Sequence, residues 1–559
     1  MSTSPHPSPA HEPSTAHEPH ATVLLPEDTV DDARRRTWIL VAMCTALIAV
    51  VASVSGLNVA QQDLAVHLGA SQSQLLWIIN GYTIALAALL LPIGAVGDRW
   101  GRKWVLVSGL VLFAAASLAS SQATSVGMLI SFRVAAGIGA AMIMPVTLSV
   151  ITSTFPPHER DRAVGIWAGF AGAGGIFGLI ISSVIVDNFT WPWVFAMPVV
   201  MATIALAITA AVVPHSREHE ERRFDVGGSI LAALAVGGLV LGIQEGPESG
   251  WTEPLTLVGL VLGVASIVGF VVWELRHENP LLQLRVFRNR TLTAGSLNLL
   301  VVFAVMGGLF LVLIQFLQAA LGYSAIRASL SLLPMALIMM PLSAVAPTIA
   351  GRVGFRRMFV TGTLLTAVGL GLMAALASVD GGYLSVVPGL VALSIGIGLV
   401  MTPGTTAITG SLPVEEQGVA SALNDVVREV GTTVGVALIG SILSAGYASA
   451  VSSTADGLPT EAAEAVRSGI GGAVVATQQM GPAGHDVLAA ARNAFVDGWT
   501  RSMWVSVGLA LAAAAFAAVW TPNRADELAD ELAARSEAIA AAGLVDDEAI
   551  EHPVIEPVS

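Results

Sequence analysis

At 559 residues the chain is 54% hydrophobic and only 12% charged, roughly half the charged fraction of a soluble protein, and its mean hydropathy is +0.74. These values exclude a soluble enzyme or a nucleic-acid-binding protein and imply an all-α polytopic membrane protein. The net charge of −14 is a property of the ends: residues 1–33 hold six acids and no Lys or Arg, residues 521–559 hold ten acids and two Arg, and the 24 acids and 24 bases between them cancel.

Residues 1–36 read as a disordered tail. Its histidine-rich stretch at 10–20 could bind a metal weakly but reads as solvated, and Arg34, Arg35 and Arg36 close it at the membrane edge. The first apolar run, 37–58, holds Cys44, the single cysteine, so neither a disulfide nor a cysteine-based metal site is expected. Runs long enough to cross a bilayer as helix follow near 75–96, 104–122, 125–149, 163–186 and 193–214, then 226–244 and 255–275, then 293–317, 328–350, 358–378, 384–408, 418–443 and 499–520. The pattern is a six-helix bundle at 37–214, an inserted pair at 226–275 and a second six-helix bundle at 293–520, with a long external loop at 446–498. An acidic tail fills 521–559.

The bases support these fourteen spans. With the N-terminus inside, 20 of the 26 Lys and Arg fall in cytoplasmic loops or tails, Arg133 and Arg428 fall within spans, and Arg327, Arg467, Arg492 and Arg501 fall outside. The positive-inside rule therefore places both ends in the cytoplasm. Lys103 is the one lysine, and Ala, Gly and Val are heavily used, which points to a GC-rich bacterial source and an inner-membrane location. An internal repeat is also visible. LGAS at 68–71 precedes DRWGRK, and LGYS at 321–324 precedes GRVGFRR at the same distance, the two copies lying 253 residues apart. A parallel duplication of half-transporters gives such a pattern. Gly351 stands in the second copy where Asp98 stands in the first.

GAVGDRWGRK at 94–103, between two spans, is the most distinctive segment. Glycine permits a tight turn, and the bases hold that side in the cytoplasm. The segment resembles the loop motif G-x-L-A-D-R-x-G-R-K of the major facilitator superfamily at Gly94, Asp98, Arg99, Gly101, Arg102 and Lys103, with Val96 in place of Leu. LISFRVAAGIGAA in the fourth span is similar to a second pattern of the family at Leu129, Arg133, Gly137, Gly139, Ala140 and Ala141, with Ala136 in place of Gln. Together with the span count, the resemblance is to the fourteen-span drug:proton antiporter branch. It implies two bundles around a central cavity that opens alternately to each side, with Asp98 and its neighbouring bases as a cytoplasmic charge latch. It also associates Arg133 with proton transfer; independently, an arginine at membrane depth must face a polar cavity or partner.

Two departures bear on coupling. The antiporter signature of the fifth span falls on GGIFGLIISS, where Gly174 and Gly178 remain but Leu179, Ser182 and Ser183 replace Pro and two Gly. What is left is a glycine face, Gly165, Gly169, Gly174 and Gly178, suited to close helix contact. In the first span, aligning on Asn58, Val59 and Ala60 puts Ser53 where this branch carries an acid, and Gln61 where it carries Leu. Carboxylates appear instead in the thirteenth span. Asp425, Arg428 and Glu429 lie on one side of a helix, two acids and one base at membrane depth, suited either to proton exchange or to a static ion-pair network.

Candidate cavity residues are Asn80, Asn298, Gln315 and Gln318 among polar side chains, and Trp167, Phe303, Met306, Phe310, Met339 and Met340 among aromatic or pliant ones, which suit a promiscuous pocket or ordinary helix packing. The expected activity is efflux of hydrophobic or cationic drugs in exchange for protons. The alternatives are export of one endogenous metabolite or antibiotic, or uncoupled facilitation. The expected partners are small molecules, protons and the bilayer, with no cofactor, no metal and no nucleic acid, and the chain is expected to act as a monomer.

Overall fold

The architecture comes from a computed structural model that describes residues 29–68, 70, 72–215, 224–413, 416–481 and 484–525. Most of both acidic tails, the histidine-rich stretch and Arg217, Arg222 and Arg223 lie outside them, as do the side chains of Asn58, Val59 and Gln61. The described part of the N-terminal tail is ordered at its end: α1 starts at Ala33, and the Arg36 guanidinium donates to Val30 O at 2.8 Å and pairs with Glu159 at 2.8 Å.

The described residues form helices and no strand. Six make the first bundle: α1 (Ala33–Leu68), α2 (Gln72–Trp100), α3 (Arg102–Ser120), α4 (Val126–Thr154), α5 (Pro157–Asn188) and α6 (Ala196–Val212). The inserted pair is α7 (Val226–Ser249) and α8 (Pro254–Glu274). The second bundle comprises α9 (Arg290–Gln315), the broken span α10 (Ala325–Leu330) with α11 (Leu333–Val353), α12 (Phe355–Leu376), α13 (Val387–Thr409), α14 (Gln417–Ala455) and α17 (Gly484–Trp520), with α15 (Thr460–Ser468) and α16 (Ile470–Gln479) between the last two. Fourteen of the described spans are long and apolar enough to cross a membrane.

The helices start where the sequence supplies caps. Ser125, Asp225, Asn289 and Ser324 accept from the first free N–H groups of α4, α7, α9 and α10, satisfying donors that a helix leaves open. Pro157 and Pro254 occupy first-turn positions of α5 and α8, where no amide hydrogen is needed. With lipid outside, bundle cohesion rests on close packing of small residues rather than on water exclusion. Gly178 lies against Ala52 of α1, Gly137 against the Tyr82 carbonyl, and Gly238 and Gly242 of α7 against Gly263 and Leu260 of α8. The opposite face of α8 leaves Val258, Val261, Val264 and Val268 more than half exposed, as a lipid-facing surface requires.

Three expectations change. The 94–103 segment is not a loop: α2 runs to Trp100 and α3 starts at Arg102, so the whole turn is Gly101 at φ 108°, a conformation open to glycine. Its repeat partner Gly354 turns α11 into α12 at φ 86°. The glycine face of α5 splits in two, because the five-residue step from Gly169 to Gly174 rotates about 140° around the helix. Gly165 and Gly169 therefore meet Ser343 and Met340 of α11, whereas Gly174 and Gly178 meet Val51 and Ala52 of α1. Finally, the segment 446–498 is largely helical. Its ends continue α14 and α17, and between them α15 and α16, nine and ten residues long, are too short to span and bury Ala463, Val466, Ile470 and Ala473, while Tyr447 Oη donates to Val466 O at 2.8 Å.

Candidate functional site

The turn at Gly101 and the bases near it mark one face of the molecule, the basic side, where the two bundles meet. Asp98 is buried there two residues before the end of α2. Its carboxylate accepts from Arg102 Nε at 3.1 Å and Nη2 at 2.9 Å. It also accepts from the backbone N–H groups of Gly418, at 2.9 and 2.7 Å, and Val419, at 3.1 Å. These amides open α14, so an acid of the first bundle caps a helix of the second 320 residues away. Free N–H groups and the helix dipole both favour a carboxylate at that point. Glycine lets the backbones approach this closely: a Cβ on Gly94 would lie 2.5 Å from Gly418 O, and one on Gly418 would lie 2.6 Å from Asp98 Oδ2. The other motif bases stay within the first bundle. Lys103 Nζ donates to Ala210 O at 3.0 Å and Val213 O at 2.8 Å, and Arg35 donates to Val212 O at 2.7 Å, so both cap the end of α6. Arg99 lies over the Trp100 ring.

Deeper in the interface are the ionisable residues of α4 and α14. Arg133 is fully buried, donates from Nη1 to Ser53 Oγ at 2.9 Å and from Nε to Ile78 O at 3.3 Å, and stacks 4.2 Å over the Tyr82 ring. Its Nη2 has no hydrogen-bond partner among the described residues. Ser53, at the place of the absent first-span acid, thus receives Arg133 without neutralising it. Arg428 donates from Nη1 to Asp425 Oδ1 at 3.2 Å and lies between two rings, 4.7 Å from Phe303 and 5.4 Å from Trp167. Such cation–π contacts are worth about 2 kcal/mol or more when desolvated. Because Trp167 belongs to α5 and Phe303 to α9, Arg428 joins the bundles. Asp425 Oδ2 and Asn424 Oδ1 remain unpartnered and buried. Glu429, half-buried, forms no ion pair or hydrogen bond with a described residue. The result is four charged side chains, two of each sign, with only Asp425 and Arg428 in direct contact.

Comparison with known proteins bears on the same elements. The family model described as Major Facilitator Superfamily matches residues 41–436, which include the Gly94–Lys103 segment, Arg133 and the Asp425–Glu429 cluster. The chain belongs to the major facilitator superfamily. It is therefore a multi-pass membrane transporter rather than an enzyme. Among its relatives, the multidrug resistance protein Stp of Mycobacterium tuberculosis is 31% identical over 414 residues, covering 73% of this chain and 76% of that protein. The tetracenomycin C resistance and export protein of Streptomyces glaucescens is 32% identical over 515 residues, covering 89% and 94%. The fold is shared with the proton:xylose symporter XylE, at a TM-score of 0.56 and 14% identity over 88% of this chain and 96% of that one.

The remaining candidates of this superfamily transporter separate by position. Trp167 is fully buried against Arg428, with Nε1 donating to Thr147 Oγ1 at 3.2 Å. Met339 and Met340 face Gly172 and Gly169 across the bundles. Met306 is buried and Phe310 half-buried one turn further along α9, beside Gly307 and Gly308, which pack on α14. Asn80 is buried on α2, its carbonyl accepting from Thr83, which in turn bonds Gln244 of α7. Gln315 is half-buried and Gln318 exposed, at the start of and within a π turn spanning Phe316–Ala320. Asn298 is a correction. Its amide donates to Ala294 O at 2.9 Å and accepts from Thr363 at 2.8 Å, so it locks α9 to α12 instead of facing a cavity. Sequence reasoning overlooked Tyr82, Asn424 and Gly418. Gly418 was within reach, since it lies 253 residues after Gly165 and both are bundle-contact glycines.

Proposed function

We propose that the protein exports amphipathic or cationic small molecules from a bacterial cytoplasm by alternating access, in exchange for protons. The observation that carries this reading is the arrangement of Asp425, Arg428 and Glu429 at the bundle interface, where two acids share one arginine and only Asp425 is in direct contact with it. Two carboxylates that share one arginine leave an excess negative charge, which is stabilised by binding either a proton or a cationic substrate. The two then compete for one position, which is the requirement for exchange. Arg133 keeps positive charge beside the Tyr82 ring and the Ser53 hydroxyl, and so biases where the proton rests.

The basic side is the cytoplasmic side, with both ends of the chain there, by the positive-inside rule. Asp98 acts as its latch. For the cavity to open inward, the carboxylate must leave Gly418, Val419 and Arg102 together, and binding of substrate or proton must favour one orientation over the other to drive the cycle. Both halves lie in one chain, so the monomer is the transporting unit. Trp167, Met306 and Phe310 supply apolar surface that adapts to different substrates.

The test is transport of a fluorescent lipophilic cation into or out of proteoliposomes under an imposed pH gradient. Glu429→Gln and Asp425→Asn are expected to lower gradient-driven transport tenfold or more, about 1.4 kcal/mol or more of coupling, while downhill exchange persists. Wild-type coupling in both variants would remove the acids from this role. Transport unaffected by a protonophore would leave an uncoupled facilitator, the reading that Ser53 and Leu179 favour. Activity on one compound alone would leave a dedicated exporter, as the tetracenomycin relative suggests.

A further inference from the structure

The inserted pair carries three buried acids that the transport reading does not use, Asp225, Glu245 and Glu274, and the first and last lie together at one end of it. Asp225 opens α7 and Glu274 closes α8, and each is 5% exposed. Asp225 Oδ1 accepts from Gly228 N at 2.7 Å, and its two oxygens share Trp273 Nε1 at 3.0 and 3.1 Å. Glu274 Oε2 accepts from Leu282 N at 3.1 Å, whereas Glu274 Oε1 is buried with no partner. That orphan oxygen and Asp225 Oδ2 both crowd the position a Cβ on Gly228 would take, so the two carboxyl groups face each other beside this glycine.

Neither acid forms an ion pair with a described residue. Among the described residues the ionisable neighbours in sequence are Arg276, His277 and Glu278 beyond α8, with the His277 ring stacked on Trp273 at 5.1 Å; Arg222 and Arg223, before Asp225, lie outside the described residues. From α2, packed against α7, come Arg99, over Trp100, and Asp98 with Arg102, which bond each other. From α14, also packed against α7, come Asp425, Arg428 and Glu429 near its middle. Two carboxylates that face each other out of water repel, and the repulsion favours keeping one of them protonated.

We propose that Asp225 and Glu274 bind one proton between them, as a second proton site outside the transport path. The N–H donors assign its place. Asp225 already accepts from Gly228 and Trp273, and Glu274 Oε2 from Leu282, so the proton sits on Glu274 Oε1 and is donated to Asp225 Oδ2. The same three inward N–H groups oppose a metal cation at this point, and the described residues contain no third acid, His or Cys grouped with them. The shared proton ties the start of α7, the end of α8 and the linker at Leu282, which leads into α9. Its loss at alkaline pH turns a hydrogen bond into a repulsion and loosens that joint.

The site is read without transport, in purified full-length protein in lipid nanodiscs. Infrared difference spectra of wild type against Glu274→Gln should show a protonated carboxyl band at neutral pH that belongs to wild type alone. Asp225→Asn, which keeps the helix cap and donates the amide in the opposite direction, should remove the same band. Both amides mimic the protonated pair, so both variants should hold their melting midpoint as pH rises from neutral to alkaline while wild type loses stability. If neither difference spectrum contains a protonated carboxyl at neutral pH, or if Na⁺, K⁺ or Ca²⁺ raises the wild-type midpoint and not that of the variants, the shared proton is refuted. Should one variant fail to fold, the other decides.

Discussion

The α2–α14 seam and the α11–α5 seam occupy equivalent places in the two halves, related by the 253-residue offset, and each is built on a glycine, Gly418 or Gly165. Their chemistry differs. At the first seam Asp98 of one bundle satisfies the opening amides of a helix in the other. At the second, Gly351 replaces the acid and meets open space. The start of α5 is instead served within its own bundle, by Pro157 and by Glu159 paired to Arg36. The second seam also continues through Met340 and Met339 to a Ser183–Ser329 hydrogen bond of 3.0 Å. One seam thus depends on a few charge-assisted bonds at one end, and the other on packing along its length. A contact of the first kind can be broken as a unit, and one of the second kind suits a hinge.

Asp98→Ala should break the comparison most strongly. It orphans the donors of Gly418, Val419 and Arg102, at about 1–3 kcal/mol each when buried. Efflux is expected to fall tenfold or more, with spin labels on the basic ends of α2 and α14 moving apart; labels that stay together would refute the ionic account of this seam. Next, Gly418→Ala and Gly165→Ala introduce Cβ atoms 2.6 Å from Asp98 Oδ2 and from Ser343 O. The first should open the labelled seam and slow transport several-fold. The second should cost ~1–3 kcal/mol of stability by overpacking, read as a lower melting midpoint, with the α2–α14 distance unchanged. If both act on the same distance, the seams are not distinct. The smallest effect belongs to Gly351→Asp, which adds a charge where nothing is within reach. It should change stability by no more than ~0.5 kcal/mol and leave efflux at the wild-type rate; a marked loss would mean that the second seam also has a charge-sensitive end.

Some of this was legible in the residues alone. Span number, the inserted pair and the duplication follow from apolar run length and from glycine and arginine recurring at a fixed offset, because bilayer thickness and turn geometry act locally. The same reasoning placed Arg133, Asp425 and Arg428 as buried charges, since no lipid-facing position tolerates them. It misjudged 446–498, where a rule for spanning length has nothing to say about short helices that pack without crossing, and it misplaced Asn298, whose partner Thr363 lies on another helix.

What the sequence by itself determined, then, is which segments enter the membrane and which of its side chains need a partner there. Only the tertiary structure decided who those partners are. Asp98 takes amides 320 residues away, Arg133 takes the Ser53 hydroxyl where an acid was missing, and Arg428 takes two rings from different bundles. The reason is physical: burial demand is set by a residue and its neighbours along the chain, whereas a hydrogen bond or ring contact is set by distances of a few ångströms between helices that only bundle packing brings together.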